Sequence, residues 1–230
     1  AELPPTFGLP FSGRGSVLGI IAGGPRALRR SVEGAEDSGT AGAGAIRRAR
    51  LGAGDLVIGI SASSLAPYVR AALVEAHRRG AVTALITMNP IKAPRGVDHL
   101  IAVPVGPEIL AGSTRMKSGL ATKAVLHAIS TTAMVLVGKV YGNRMVDLRT
   151  WCAKLEARAR RLVEDLGGVP PRRARAVLRA AKGDVKTAIV MARLGVTPRE
   201  AARLLHTGGG SLRKILDGKR RRQGGGSSES

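Results

Sequence analysis

Short apolar runs alternate with longer, alanine-rich segments over the first two thirds of the chain, and this alternation constrains the fold more than any other feature. The runs have the length of strands buried on both faces, and they cover Ser16–Ala22, Leu56–Ser61, Ala81–Thr87 and Leu100–Val103. Between them, the i, i+3, i+4 apolar spacing predicts helices at Gly24–Glu33, Ala66–Arg79 and Ser118–Tyr141. The pattern therefore predicts β-α units and an α/β fold with a parallel sheet.

From about Trp151 the pattern changes to helices only. Apolar spacing and Gly or Pro boundaries predict helices at Ala153–Leu166, Pro171–Ala181, Asp184–Leu194 and Thr197–His206. Thr197 and Glu200 have the spacing of a capping box. We therefore predict an α/β domain over residues 1–150, a linking helix over 151–168, a small helical bundle over 169–217 and a disordered tail over 218–230.

The chain is strongly basic, with 37 Lys and Arg against 16 Asp and Glu and a net charge of +21. Clustered cations bind nucleic acid by neutralising phosphates, so a polyanion-binding protein is one interpretation. Much of the excess follows Trp151, where the cations are spread over helix faces and are mostly Arg. This distribution is more typical of solvated helix surfaces, and we predict that nucleic acid is not a partner.

Composition also limits compartment and cofactors. No segment approaches about 20 uninterrupted apolar residues, and the first residues lack a signal-peptide pattern, so we expect a cytoplasmic protein without membrane contact. The single cysteine, Cys152, excludes an internal disulfide. The four scattered histidines give no metal-ligand spacing, and we predict no metal and no other cofactor.

Two hydroxyl-rich loops follow predicted strands and precede predicted helices. In the first, Ser61, Ser63 and Ser64 come directly after a strand, where helix amides and hydroxyls can hold a phosphate; an ordinary helix cap would need only one of them. In the second, Gly106-Pro107-Glu108 leads to Gly112-Ser113-Thr114-Arg115-Met116-Lys117. Its hydroxyls and cations could complete an anion site.

Carboxylates are the other candidates for chemistry. Glu33, Glu36 and Asp37 are clustered where a helical pattern breaks at Gly34, and Glu2 lies near the start of the chain. An acidic cluster at a helix end is usually solvated surface. Periodicity alone does not select a catalytic acid or base among these residues.

Several motifs, in the same order along the chain, resemble the N-acetylmuramic acid 6-phosphate etherases. They lie at Pro4–Gly8, Ile21–Gly24, Glu33–Ser38, Gly106–Glu108, Gly112–Lys117 and Gly138–Asp147. The resemblance covers roughly residues 1–217, and its most specific stretch is Gly106–Asp147. Relatives of that family include the vertebrate glucokinase regulatory protein, which shares the sugar isomerase (SIS) fold.

The resemblance implies a fold, an assembly and an activity. The fold is an SIS-type three-layer α/β/α sandwich with a parallel sheet, plus a small all-helical C-terminal domain. The assembly is a homodimer with sites near the subunit interface. The activity is a metal-free lyase reaction of peptidoglycan recycling, which removes the D-lactyl ether from N-acetylmuramic acid 6-phosphate and yields N-acetylglucosamine 6-phosphate and D-lactate.

The resemblance also implies roles for single residues. The family's two glutamates correspond to Glu2, as proton donor, and Glu36, as its partner base. A proton donor must stay protonated near neutral pH, so we expect its pKa to be raised. The implied substrate and phosphate contacts are made by residues of the two hydroxyl-rich loops, namely Ser61, Ser63, Ser64, Glu108, Ser113 and Thr114.

The chain also departs from the family pattern. The family has a helical region, a strand and a first glycine-rich phosphate loop ahead of the position of Ala1, so we expect this chain to be a fragment or a truncated product. The family's second phosphate loop corresponds to the first hydroxyl-rich loop of this chain. There, Ser63-Ser64-Leu65-Ala66 replaces the family's Ser-Gly-Arg-Thr, and a cation is lost. These departures favour an alternative, a non-catalytic sugar-phosphate-binding regulatory protein of the same fold.

Overall fold

The structure is a computed structural model of the 230-residue chain. It describes residues 17–62, 66–148, 150 and 152–223, with side chains to residue 217. The described chain forms two compact units, which are presented separately below. The first is Leu18–His127 and the second begins at Ala128, so the division falls inside a helix and earlier than the predicted boundary at residue 150.

A parallel three-stranded sheet forms the centre of the first unit. Its strands are β1 (Leu56–Ile60), β2 (Val82–Thr87) and β3 (His99–Ala102), in the order β1-β2-β3. Leu56 is paired with Val82 and Ala84 with His99. The central strand β2 is almost fully buried, as its continuous apolar run predicts. The predicted α/β class and these three strands are confirmed to within one residue at most boundaries.

Two helices pack together beside this sheet. Helix α2 (Pro67–Arg78) connects β1 to β2 and was predicted, whereas α1 (Gly39–Ala49) was not. Three glycines lower the helix propensity of α1, but its first turn is capped by Ser38, whose hydroxyl accepts the Ala41 amide. A Cβ atom on Gly42 would lie 2.1 Å from the Tyr68 carbonyl oxygen. The glycine that weakens α1 locally therefore permits its close contact with α2.

The predictions for the segment before α1 are wrong. Ser16 lies outside the described residues, and residues 17–22 form no strand, since no neighbouring strand pairs with them in the described chain. The predicted helix Gly24–Glu33 is reduced to a 3₁₀-helix at Gly24–Leu28, followed by another at Ala35–Asp37. Gly23, Gly24 and Gly34 have positive φ angles of 79°, 63° and 69°, so an α-helix can neither begin at Gly24 nor continue past Glu33.

Helix α3 (Lys117–Leu136) is the longest helix of the described chain. It ends before the predicted limit because Gly138 has a φ of 75°, and a hairpin of β4 (Val140–Tyr141) and β5 (Arg144–Met145) follows. By length and composition alone α3 could cross a membrane, with a mean hydropathy of 1.3 in its most apolar window, of which 6% is buried. Core helices of soluble proteins meet the same two criteria, so this finding does not distinguish the two environments.

The second unit is helical apart from the β4–β5 hairpin. Its helices are α4 (Ala153–Gly167), α5 (Pro171–Ala180), α6 (Val185–Leu194), α7 (Pro198–Thr207) and α8 (Leu212–Gln223). The capping box of Thr197 and Glu200 is present as predicted. Helix α6 contacts α4, α5, α7 and α8 and is the centre of the core. Helix α8 includes residues 218–223, which we expected in the disordered tail, and residues 224–230 lie outside the description.

The α5–α6 and α7–α8 pairs repeat one motif. Ala174 and Ala201 are both fully buried, and the pair Leu178 and Leu205 also has matching exposure. In each pair, the first helix is followed by two consecutive residues with positive φ. These are Lys182-Gly183 after α5 and Gly209-Gly210 after α7. The Gly183 amide donates to the Leu178 carbonyl at 2.9 Å, and the Gly210 amide donates to the Leu205 carbonyl at 2.7 Å. The same turn thus reverses the chain twice.

Candidate active site

The loops that follow β1, β2 and β3 lie at one edge of the sheet, because the carboxyl ends of parallel strands share an edge. Adjacent strands are about 4.8 Å apart, which places the starts of the first and third loops about 10 Å from each other. Both loops lead into helix N-termini, at Pro67 and Lys117. The two loops whose sequences are rich in hydroxyl residues therefore both start at this edge.

Ser61 closes the loop between β1 and α2. It is 8% exposed, its amide donates to the Ile86 carbonyl at 3.1 Å, and its hydroxyl accepts the Ala66 amide at 3.2 Å. The hydroxyl hydrogen can still be donated to a ligand, since that bond uses only an oxygen lone pair. Ser63 and Ser64 lie outside the described residues. Ser61 therefore shapes the loop, whether or not it also contacts a ligand.

Asn89 was missed by the sequence analysis. It follows β2, and its side-chain amide nitrogen lies 3.5 Å from the Ala62 carbonyl oxygen. The Met88 amide donates to the same carbonyl at 3.3 Å. These contacts place a carboxamide beside the Ser61 loop. The available signal was its position two residues after a predicted strand, since the polar residues of the other two loops also follow predicted strands.

Glu108 lies at the start of the loop between β3 and α3. Its Oε2 atom accepts the Lys117 amide at 3.0 Å, and its Oε1 atom accepts the Ser118 amide at 2.9 Å. Hydrogen bonds from the Ser118 amide and hydroxyl, then those from Lys117, hold the pKa of the Glu108 carboxyl below its ordinary value. Glu108, which we predicted to contact the substrate, is therefore already hydrogen-bonded to the first turn of α3.

Ser113 and Thr114 are half-buried at the tip of that loop. The Ser113 amide donates to the Leu110 carbonyl at 3.0 Å, while the amides of Thr114 and Arg115 have no partner within the described residues. The Lys117 ammonium donates to the Pro107 carbonyl at 2.7 Å, and the Arg115 side chain is exposed. Two hydroxyls, two amides and one guanidinium thus form a local set of donors for an anion.

Glu36 lies in the 3₁₀-helix Ala35–Asp37, just before the start of α1, and its side chain is exposed. At that start, a Cβ atom on Gly39 would lie 3.5 Å from the Pro67 carbonyl oxygen, in the first turn of α2. Glu36 is therefore at the same end of the unit as the Ser61 loop. Within the described residues no hydrogen bond joins Glu36 to Ser61, Ser113 or Thr114, and Glu2 lies outside the described residues.

Two other polar clusters of this unit serve packing. Glu75 is 7% exposed and forms ion pairs with Arg78 at 2.9 Å and Arg47 at 3.7 Å; these cations, the hydrogen bond from Arg78 foremost, lower its pKa. The Asp98 carboxylate accepts hydrogen bonds from the Thr83 amide and hydroxyl, both at 2.8 Å. Neither cluster lies in a loop at the carboxyl ends of the strands. Over the described residues, no three His, Cys, Asp or Glu side chains are grouped to hold a metal.

Comparison with known proteins gives one domain match and several close relatives. Residues 12–77 match the family described as the glucokinase regulatory protein N-terminal SIS domain. The chain is 49% identical over 221 residues to an N-acetylmuramic acid 6-phosphate etherase of Rubrobacter xylanophilus, covering 96% of this chain and 72% of the relative. It is 47% identical to the etherase of Erwinia tasmaniensis, covering 95% and 71%, and 48% identical to that of Synechococcus elongatus, covering 94% and 70%.

Proposed function

The chain belongs to the N-acetylmuramic acid 6-phosphate etherase family, and we propose that it is a carbon–oxygen lyase acting on that sugar phosphate. It removes the D-lactyl ether and yields N-acetylglucosamine 6-phosphate and D-lactate. The observation that carries this proposal is the 49% identity to a family member over 96% of the chain. The SIS-type fold, with its parallel sheet and polar loops after the strands, is consistent with that substrate class.

The chemistry requires two proton transfers. In the open-chain sugar the C2–H bond is adjacent to the C1 aldehyde, so a general base can remove that proton. The C3–O bond then breaks, a C2=C3 double bond forms, and the departing lactate alkoxide takes a proton from a general acid. Water adds back across the double bond, with hydroxide at C3 and a proton at C2. The net reaction is hydrolysis of the ether, and its atoms balance without an oxidant or reductant.

We assign the base to Glu36 and the proton donor to Glu2. The role of Glu36 as the base is supported by the exposure of its side chain and by its position at the end of the unit where α2 begins. The phosphate is assigned to Ser113 and Thr114, with Ser61, Ser63 and Ser64 as contacts of the neighbouring loop. The two open amides at Thr114 and Arg115 favour this assignment, because backbone N–H groups are strong donors to phosphate oxygens.

We further propose a cytoplasmic homodimer that binds neither membrane nor nucleic acid. Helix α3 and the loop before it support a dimer, because they expose several large apolar side chains, including Ile109, Leu110, Met116, Leu120 and Leu136. Large apolar side chains exposed in such numbers are typical of an interface between subunits. Sedimentation of the purified chain measures the assembly, and a salt titration against duplex DNA tests the absence of nucleic-acid binding.

The deciding experiment incubates the protein with N-acetylmuramic acid 6-phosphate and measures D-lactate. We expect lactate from the wild type and a loss of at least about 100-fold in its rate from Glu36→Gln, as removal of a general base typically causes. The matched control is Glu33→Gln, a neighbouring carboxylate with the same change. Sugar-phosphate binding without lactate would instead identify a regulatory protein, and full activity of Glu36→Gln would remove this residue from catalysis.

A further inference from the structure

A single carboxylate closes the base of the loop between β3 and α3. Both oxygens of Glu108 are engaged, one with the Lys117 amide and the other with the Ser118 amide, at 3.0 and 2.9 Å. The Lys117 ammonium returns to the Pro107 carbonyl at 2.7 Å. Residues 107–108 are thus tied to residues 117–118 across the loop that presents Ser113 and Thr114. We call these three hydrogen bonds the Glu108 clasp.

The clasp decides which groups can receive a phosphate. The first amides of a helix lack intrahelical partners and favour an anion, and in α3 the Glu108 carboxylate already takes that place at Lys117 and Ser118. Ser118 is 3% exposed, so this side of the carboxylate faces the protein. The Thr114 and Arg115 amides and the two hydroxyls are still open to an incoming phosphate, and their placement depends on the shape of the loop.

We propose that Glu108 is a positioning residue, which holds the Ser113–Arg115 turn in the shape that receives the substrate phosphate without itself contacting the substrate. The proposal rests on the phosphate assignment made above. It replaces the expectation, drawn from family resemblance, that Glu108 is a direct substrate contact. The lowered pKa of Glu108 keeps the carboxylate ionised near neutral pH, as the clasp requires.

The test compares Glu108→Gln with Glu156→Gln, an exposed glutamate in the first turn of α4. Amide hydrogen exchange is measured by NMR without ligand, and inorganic phosphate is then titrated. In Glu108→Gln we expect about tenfold faster exchange at Lys117 and Ser118, because one neutral oxygen replaces two charged acceptors. We also expect about tenfold weaker phosphate binding at Thr114 and Arg115, whereas Glu156→Gln should match the wild type.

Steady-state lactate release gives a second measurement. Glu108→Gln should raise KM for N-acetylmuramic acid 6-phosphate about tenfold and change kcat less than about twofold, since the phosphate is remote from the bond that breaks. Glu108→Asp keeps the charge on a shorter side chain and should fall between the wild type and Glu108→Gln. Unchanged amide exchange in β1–β3, which lie in the same unit as Glu108, shows that each Glu108 variant is folded.

Each alternative gives a distinct result. Weaker phosphate binding with unchanged ligand-free exchange at Lys117 and Ser118 would make Glu108 a direct ligand and overturn the proposal. Faster exchange with unchanged phosphate affinity would also overturn it, because the clasp would then have no effect on the site. A wild type that binds phosphate at Thr114 and Arg115 but releases no lactate would reject the proposed enzyme activity while leaving the clasp intact.

Discussion

The two units differ in how completely they cover their own apolar side chains. In the first unit Leu18, Leu28, Ile109, Leu110 and Leu120 are 62–76% exposed. From Ala128 onward, the exposed large apolar side chains of the described residues are confined to the end of α3, at Val135, Leu136 and Val137. The helical unit therefore has a self-contained core. The sheet unit, by contrast, has apolar surface left for a partner to cover, which supports the proposed homodimer.

The units also differ in how their elements come together. Helices α1 and α2 approach closely because glycine lacks a side chain at the contact, whereas α4–α7 are held by interlocking aliphatic side chains around Ile189. Atoms added at the glycine contact would clash with the neighbouring helix, whereas atoms removed from the aliphatic core would leave a cavity. Mutations can therefore destabilise the two units in opposite ways, by adding atoms in the first and by removing them in the second.

The largest expected effect is that of Gly42→Ala in the first unit. The added Cβ would lie 2.1 Å from the Tyr68 carbonyl oxygen, and backbone on both sides limits relaxation, so we expect a loss of roughly 4 kcal/mol or more. Amide exchange should accelerate in α1 and α2 and stay slow in α4–α7. The control is Gly44→Ala in the same helix, where the new atom would meet only side-chain atoms of Arg47 and Arg48. If the two variants were equally stable, the close contact between Gly42 and the Tyr68 backbone would not limit the side chain at this position.

The next effect should come from Ile189→Ala in the second unit. Ile189 is fully buried at the centre of the helical core, and its truncation leaves a cavity that should cost about 3 kcal/mol. Val135→Ala, at a half-exposed position of α3, should cost less than about 1 kcal/mol. Chemical denaturation followed by amide exchange measures both. A loss of protection that spread to β1–β3 would show that the two units unfold together and are not independent.

The smallest effect concerns Asp98 and its dependence on pH. The hydrogen bonds from Thr83 lower the pKa of Asp98 in the folded state, so its contribution to stability is present above the unfolded pKa of about 4 and is lost as pH falls through the folded value. Wild-type stability should therefore fall on acidification more steeply than that of Asp98→Asn. The control is Asp37→Asn, which changes an exposed carboxylate. If the stability of Asp98→Asn and of the wild type had the same dependence on pH, Asp98 would not make this contribution.

Local sequence predicted the elements that local chemistry determines. Strands β1–β3 follow from apolar runs, and α7 from its capping box, because these signals lie within a few adjacent residues. Helix α1 was missed, since Gly42 is favourable there only because of its close contact with Tyr68, which is distant in sequence. The predicted strand at residues 16–22 failed for the same kind of reason, because a strand also requires a neighbour.

The candidate site shows the same limit. The hydroxyl loops and Glu36 were found from the residue types and the family resemblance, and the structure places Glu36 at the end of the unit where the Ser61 loop begins. The engagement of Glu108 with α3 could not be predicted, because a carboxylate nine residues before a helix start has no fixed relation to it in sequence. Asn89 was missed because a single amide after a strand has no motif around it.

The turn shared by α5–α6 and α7–α8 has a consequence for how this protein can change. Its geometry depends on backbone hydrogen bonds and positive φ angles, and one of its four positions is a lysine, Lys182 at a φ of 53°. The outward side chains of the two copies take no part in it, and they already differ, with Arg173 in one first turn and Glu200 in the other. Mutations can therefore change the surface charge of this unit without disturbing its two turns. This independence explains how the helical core remains intact beneath a strongly basic surface.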